Sequence, residues 1–134
     1  MSQENVEIVR KYYAAASARN WDALASVAHA DIEWRDQLHA PDVPEAVRGI
    51  AEVRQVVSQW DSVYDGFAVE ILEFIDADPW VICATRWHGE AKGSGMPIEV
   101  RSVYACEVKD GKVARVLGGY PDLTADQNAT GMPD

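Results

Sequence analysis

Apolar and polar positions alternate through three runs between Trp80 and Tyr120: WVICATRWHGEAK, IEVRSVYACEVK and KVARVLGGY. Gly-Ser-Gly and Lys-Asp-Gly punctuate them, and a period of two bounded by turn residues predicts a meander of three antiparallel strands. Centring the first turn between Ser94 and Gly95 sets Cys83 opposite Cys106, Thr85 opposite Tyr104 and Trp87 opposite Ser102. Side chains alternate across a sheet. One face therefore carries Val81, Cys83, Thr85 and Trp87 with Val100, Ser102, Tyr104, Cys106 and Val108. The other carries Ile82, Ala84, Arg86, His88, Arg101, Val103, Ala105 and Glu107. The second turn is either a two-residue type I′ turn at Asp110-Gly111 or a three-residue loop Lys109-Asp110-Gly111. The three-residue loop is the preferred reading. It puts Ala114, Val116, Gly118 and Tyr120 on the face of Tyr104 and sends Arg115 to the other.

Earlier in the chain the period changes. Val6, Val9, Tyr13 and Ala16 form an apolar stripe at helical spacing, widened by Ile8, Tyr12 and Ala15. A stripe this broad suits a helix lying across a sheet, with Tyr12 or Tyr13 pointing at it. Asn20 caps a short second helix containing Leu24 and Val27. Asp31–Asp36 reads as a strand with Ile32, Trp34 and Asp36 on one face and Glu33 and Arg35 on the other. A carboxylate thus continues an apolar face where the strand gives way to the loop Gln37–Pro44, which holds His39. Asp36 is then either a turn or cap residue closing a strand that ends at Arg35, or a partly buried acid whose pKa desolvation raises, suiting it to move protons. Gly49 precedes a strongly amphipathic helix through Ile50, Val53, Val56, Val57, Trp60, Val63 and Tyr64, roughly four turns. Asp65-Gly66 turns the chain into a strand, Phe67–Ile75. The order is helix, helix, strand, helix and a four-stranded meander, which makes an α+β domain.

Composition narrows the chemistry. The chain has 134 residues, enough for one domain with a real core, and 48% of them are hydrophobic. Its net charge of −10, from 22 acids against 12 bases, repels nucleic acid and anionic membrane, so neither is expected as a partner. There is no apolar run of membrane-spanning length, and MSQENVEIVR lacks the pattern of a signal peptide. Two mid-strand cysteines read as small buried hydrophobes in a reducing compartment, and a cytoplasmic location is expected. Residues 1–120 are expected to form the domain and Pro121–Asp134 a polar tail. The three histidines and two cysteines have no metal-ligand spacing. A Gly-rich phosphate loop and a paired nucleophile and histidine are also missing, and no cofactor is expected.

From VRKYYAAASARNWDALASVAHADIEWRD to the closing DGKVARVLGGY, the chain resembles the SnoaL-like and ketosteroid isomerase branch of the nuclear-transport-factor-2-like superfamily. The resemblance implies a cone: a curved antiparallel sheet wrapped around N-terminal helices, a cystatin-like α+β barrel with a pocket open at one end. Tyr12 falls where ketosteroid isomerases have the tyrosine that donates to the substrate oxygen. Asp36 falls where they have the aspartate that shuttles the proton. With one deletion in the last hairpin, Tyr104 lies where they hold a protonated aspartate as second donor. This departure leaves a phenol, which can also donate to an oxyanion.

The reading that follows is a hydrophobic pocket between helices and sheet. Asp36, Tyr12 and Tyr104 are its catalytic candidates. Trp34, Trp60, Thr85, Trp87, Ser102 and Tyr120 are its binding residues, with His39 at the mouth. The expected partner is a small hydrophobic molecule with a carbonyl or hydroxyl, isomerised, cyclised or dehydrated by Asp36 as general base and then acid. A non-catalytic ligand-binding domain and a dimeric association module are the alternatives. On the outer face, Ile82, Ala84, Val103, Ala105, Val113 and Leu117 make an apolar centre. Arg86, His88, Arg101, Arg115, Glu99 and Glu107 surround it, and a homodimer packed sheet to sheet is expected.

Overall fold

Residues 2–36 and 46–120 are described by the computed structural model, apart from the side chains of Ser2, Asp36, Gly119 and Tyr120. The loop with His39 and the polar stretch after Tyr120 lie outside the described residues.

The N-terminal stripe forms helix α1, Ser2–Ala18. Adjacent residues on a helix point about 100° apart, and the stripe is broad enough that Tyr12 and Tyr13 are both buried, with Val9 and Ala15. Helix α2, Trp21–Val27, is capped by the Asn20 side chain, which accepts from the Ala23 N–H at 3.1 Å. Helix α3, Ile50–Val63, starts after Gly49, whose φ of 83° favours glycine, and buries Val53, Val56 and Val57.

Six strands follow the helices in space: β1 Ala28–Asp36, β2 Ala46–Arg48, β3 Tyr64–Ala77, β4 Trp80–Ala91, β5 Pro97–Lys109 and β6 Lys112–Tyr120. Their order in one sheet is β2-β1-β6-β5-β4-β3. The meander β3 to β6 is antiparallel, while β1 enters parallel to β6. β2 has only three residues, too few for a readable pattern. Side chains of α1, α2 and α3 join those of one sheet face in a single core. The architecture is the α+β cone, with a curved sheet that does not close.

Two registers differ from the sequence reading. Cys83 pairs with Tyr104, Thr85 with Ser102 and Trp87 with Val100, a slip of two residues. The turn is centred one residue earlier than expected, with positive φ at Gly93 and Gly95. A one-residue slip would exchange the faces; a slip of two keeps them. At the second turn the three-residue loop is replaced by a two-residue one. Lys109 pairs with Lys112, and Asp110 and Gly111 have φ of 55° and 75°, as a type I′ turn requires. A bulge then skips Ala114, so that Glu107 meets Arg115 and Cys106 meets Val116. Turn and bulge together restore the expected phase at Arg115 and Val116, but Val113 is buried in the core instead of standing on the outer face.

That outer face is also less open than its pattern suggests. Ile82, Val103 and Ala105 are buried in a second cluster, with Ile75, Ala77, Trp80 and Leu117 packed against it. Arginine and glutamate side chains on it pair within the chain. Arg86 contacts Glu70 and Glu99, each at 2.9 Å, and Arg115 contacts Glu107 at 3.2 Å.

A candidate aromatic pocket between helices and sheet

Where α1 and α3 cross the inner face of the sheet, aromatic side chains from five elements converge. Tyr12 comes from α1, Trp34 from β1, Trp60 from α3, Trp87 from β4 and Tyr104 from β5. Trp60 is the hub. Its ring meets Trp34 at 5.5 Å and 86°, Trp87 at 5.4 Å and 70°, and Phe67 at 5.5 Å and 66°. Trp87 in turn stacks on Phe67 at 5.5 Å and 24°. Edge-to-face and offset pairs each add about 0.5–1.5 kcal/mol beyond their buried area, so the wall is held by rings on rings. The space enclosed is about 30 Å³. That is room for about one water, well below the roughly 300–1,000 Å³ of pockets for drug-sized ligands.

Two phenols on this wall, Tyr12 and Tyr13, are held neutral by burial. Burial pushes the Tyr12 pKa far above its ordinary value, with neighbouring Cys106 and Tyr104 adding to the rise. The Tyr13 pKa is raised too, first by burial, and its hydroxyl lies 3.5 Å from the Cys106 sulfur. Both groups stay protonated at neutral pH and can donate.

Sequence-predicted residues divide into three sets. Tyr12, Trp34, Trp60, Trp87 and Tyr104 are brought together around the cavity. Thr85 and Ser102 are buried nearby but outside its described lining. The Thr85 hydroxyl donates to the Ser102 carbonyl at 2.9 Å and lies 3.3 Å from the Ser102 hydroxyl. His39 and the side chains of Asp36 and Tyr120 belong to the third set, outside the described residues. The backbone of Asp36 pairs with Gly118, in step with Trp34 opposite Val116. The backbone of Tyr120 pairs with Val103 after a further register shift. On the opposite face of β1, Glu33 and Arg35 contact each other at 2.8 Å. Sequence reading did not assign Val53, Val57 and Val116 to the lining, although the stripe of α3 and the phase of β6 both pointed inward. The indole nitrogen of Trp87 also went unremarked: it is buried and has no hydrogen-bond partner among the described residues.

Among the described residues, no group of three or more His, Cys, Asp or Glu side chains is placed to hold a metal ion. No helix among them is long and apolar enough to cross a membrane.

Residues 9–116 match the SnoaL-like domain family. No curated protein matches the chain. Among solved structures, an NTF2-like protein from Burkholderia xenovorans is 26% identical, with a TM-score of 0.74 over 97% of this chain and 98% of that one. A Catenulispora acidiphila protein with a ketosteroid isomerase-like fold, in complex with trimethylamine, is 20% identical, with a TM-score of 0.71 over 95% of this chain and 94% of that one. TerC, co-crystallised with polyporic acid, is 20% identical, with a TM-score of 0.77 over 93% of this chain and 96% of that one.

Proposed function

The chain belongs to the SnoaL-like domain family, and from that premise we propose that its aromatic pocket binds a small, flat, largely apolar molecule and moves a proton beside an oxygen on it. The observation that carries this reading is the convergence of aromatic walls on the buried, protonated phenol of Tyr12. Ring walls supply apolar contact, and the phenol supplies one directed donor. Two fold relatives, solved with trimethylamine and with polyporic acid, support a small-molecule role. The enclosed space is smaller than such a ligand, so binding requires half-buried Trp60 to move outward on α3.

In this reading Asp36 is the proton carrier. Alternation along β1 continues from Ile32 and Trp34, both buried, to Asp36. Its carboxylate takes a proton from the carbon beside a carbonyl, and the electron pair moves onto the oxygen. Tyr12 and Tyr104 donate to that oxygen, and the protonated Asp36 returns its proton elsewhere on the conjugated system. The same groups serve an isomerisation, a cyclisation or a dehydration. A thermal-shift screen of flat ketones and phenols tests the pocket. Turnover of the best binder by wild type and by Asp36→Asn tests the chemistry. A hit that Asp36→Asn turns over at the wild-type rate removes Asp36 from the mechanism.

A non-catalytic ligand-binding domain is the second reading. It is supported by the largely apolar character of the described lining, where tryptophan and valine side chains predominate over polar ones. Under it, Asp36→Asn leaves affinity unchanged and no turnover is found for any binder.

The sheet-to-sheet homodimer belongs to the same proposal. Ile82 and Ala105 are already fully buried, so a charge placed there breaks the fold before it tests an interface. Half-buried Ala84 is the usable position. A dimer of the wild type that Ala84→Glu converts to folded monomer in sedimentation supports the interface; a monomeric wild type removes it.

A further inference from the structure

Buried donors are almost always paired in native proteins, and each exception calls for a cause. On the inner face of the sheet the Thr85 hydroxyl bonds Ser102, and the Tyr13 hydroxyl lies against the Cys106 sulfur. Trp87 is different. Its Nε1 is shielded from solvent and has no acceptor among the described residues. Register explains the difference: Ser102 stands opposite Thr85, and Trp87 stands between Val69 and Val100, neither of which has a polar side chain.

The indole is also held in place. Phe67 stacks on one side at 5.5 Å, the Trp60 ring meets it at 5.4 Å, and Tyr104 lies 6.0 Å away. Its ring forms part of the wall around the 30 Å³ cavity that Tyr12 also lines, space for one oxygen-sized group. An indole N–H donates and never accepts. No Lys, Arg or His side chain is present in the described lining, so an anionic acceptor would be buried there without a counter-charge. A neutral oxygen is the acceptor that fits.

Resting on the small-molecule reading above, we propose that Trp87 is a specificity-determining donor: its indole N–H binds the carbonyl oxygen of a flat, neutral, cyclic ketone. The apolar body of the ligand lies against Trp60 and Trp34. The phenol of Tyr12 stands on the same cavity as a further donor.

Indanone and indane, which share a ring skeleton and differ by the carbonyl, are the probes. Wild type is expected to bind indanone about three- to tenfold more tightly than indane, the worth of one net hydrogen bond. Trp87→Phe keeps a ring against Phe67 and removes the N–H, and is expected to reduce that preference to within about twofold. In the wild type, indanone and not indane is expected to move the Trp87 indole proton downfield. This readout stands if the variant fails to fold. A folded Trp87→Phe that keeps the ketone preference overturns the proposal, as does an indole proton that indanone leaves unmoved. An indole proton already far upfield in ligand-free protein, as a bond to the Trp60 ring face would produce, overturns it as well. If folded wild type binds neither probe while the screen finds other ligands, the ketone assignment falls and the pocket stands. If nothing binds at all, the pocket reading falls with it.

Discussion

The ring of Tyr104 occupies the space that a side chain on Gly118 would need. A Cβ built at position 118 would clash with the Cδ1 and Cε1 atoms of that ring. Gly118 is also the backbone partner of Asp36, so the missing side chain lets Tyr104 lie beside the strand end that holds the proposed proton carrier. Gly118→Ala forces the phenol out of its place. Overpacking of this kind costs about 1–3 kcal/mol, and a larger loss is expected in ligand affinity because Tyr104 moves from the wall. In a Tyr104→Ala background the same Gly118→Ala change is expected to cost less than about 0.5 kcal/mol. Urea titrations of the four proteins check the cycle; equal costs in both backgrounds would show that the two residues act independently.

Alkaline pH tests the buried phenols. The pKa values of Tyr12 and Tyr13 are raised above the ordinary 10.0, chiefly by burial. Above pH 10 the unfolded chain loses these protons while the folded chain keeps them, so stability falls as pH rises. The contribution is fully present below the unfolded pKa and is lost as pH climbs toward the folded one. Each phenol is expected to lower stability by about 1.4 kcal/mol per pH unit in that window. Phenolate absorbance should show at least two tyrosines that ionise only as the protein unfolds. Ionisation of all five near pH 10 in folded protein would mean that these rings are hydrated.

Much of this geometry was legible in the alternation of the strands. Buried Thr85, Tyr104 and Cys106 all fall on the face that their period of two assigned them, and Trp87 lines the pocket on that face. Register was not legible to the same degree, because alternation fixes faces while turn geometry fixes pairing. The consequence is chemical. Pairing Trp87 with Ser102 would have offered the indole a hydroxyl; pairing Thr85 with Ser102 occupies that hydroxyl and leaves the indole with none. The type I′ turn and the bulge at Ala114 compensate one another in phase, so a mistaken turn still gave the right face for Arg115 and the wrong one for Val113. Asp36 was the clearest functional signal in the sequence, a carboxylate in phase with Ile32 and Trp34. Its backbone register agrees with that phase, and its side chain lies outside the described residues.

Thiol chemistry checks the faces directly. Cys83 and Cys106 form no disulfide and are fully buried on the inner face, and each is held between helix and sheet in the main core. Labelling by a thiol reagent therefore has to wait for opening of that core. The native rate is expected to be at least about a thousandfold below the unfolded rate, in line with ordinary domain stability. It should rise with urea in parallel with global unfolding. Fast labelling of either cysteine without urea would place it on the solvent side of the sheet.

Arg19 ties the pocket wall to the rest of the fold. It follows α1 with φ of 59°, a conformation that side chains other than glycine adopt at a cost. Its guanidinium donates to both Asp61 oxygens, at 2.9 and 2.6 Å, and to the carbonyls of Ala16 and Phe67, at 2.8 and 2.7 Å. Asp61 is the neighbour of Trp60 on α3, and Phe67 is the ring that stacks on Trp87. The clamp thus fixes the two ends of the aromatic wall. Arg19→Ala keeps the strained backbone and loses every side-chain bond, and should destabilise by about 1–3 kcal/mol, the range for charged hydrogen bonds that are partly open to solvent. Arg19→Gly loses the same bonds but relieves the backbone, so it should be the milder change. Arg19→Lys cannot reproduce a planar fork and should recover less than half of the loss. The hydrogen bond from Arg19 also lowers the Asp61 pKa below its ordinary 3.8. Its stabilisation is therefore present above that value and lost as pH falls through the folded one, so Asp61→Asn should flatten the acid limb of the stability curve. The functional consequence separates this clamp from a merely structural one. With Asp61 released, Trp60 is freer to swing, and ligand association should speed up while affinity falls. Stopped-flow tryptophan fluorescence of Arg19→Ala against wild type reads both; an unchanged association rate would mean that the clamp does not govern the wall.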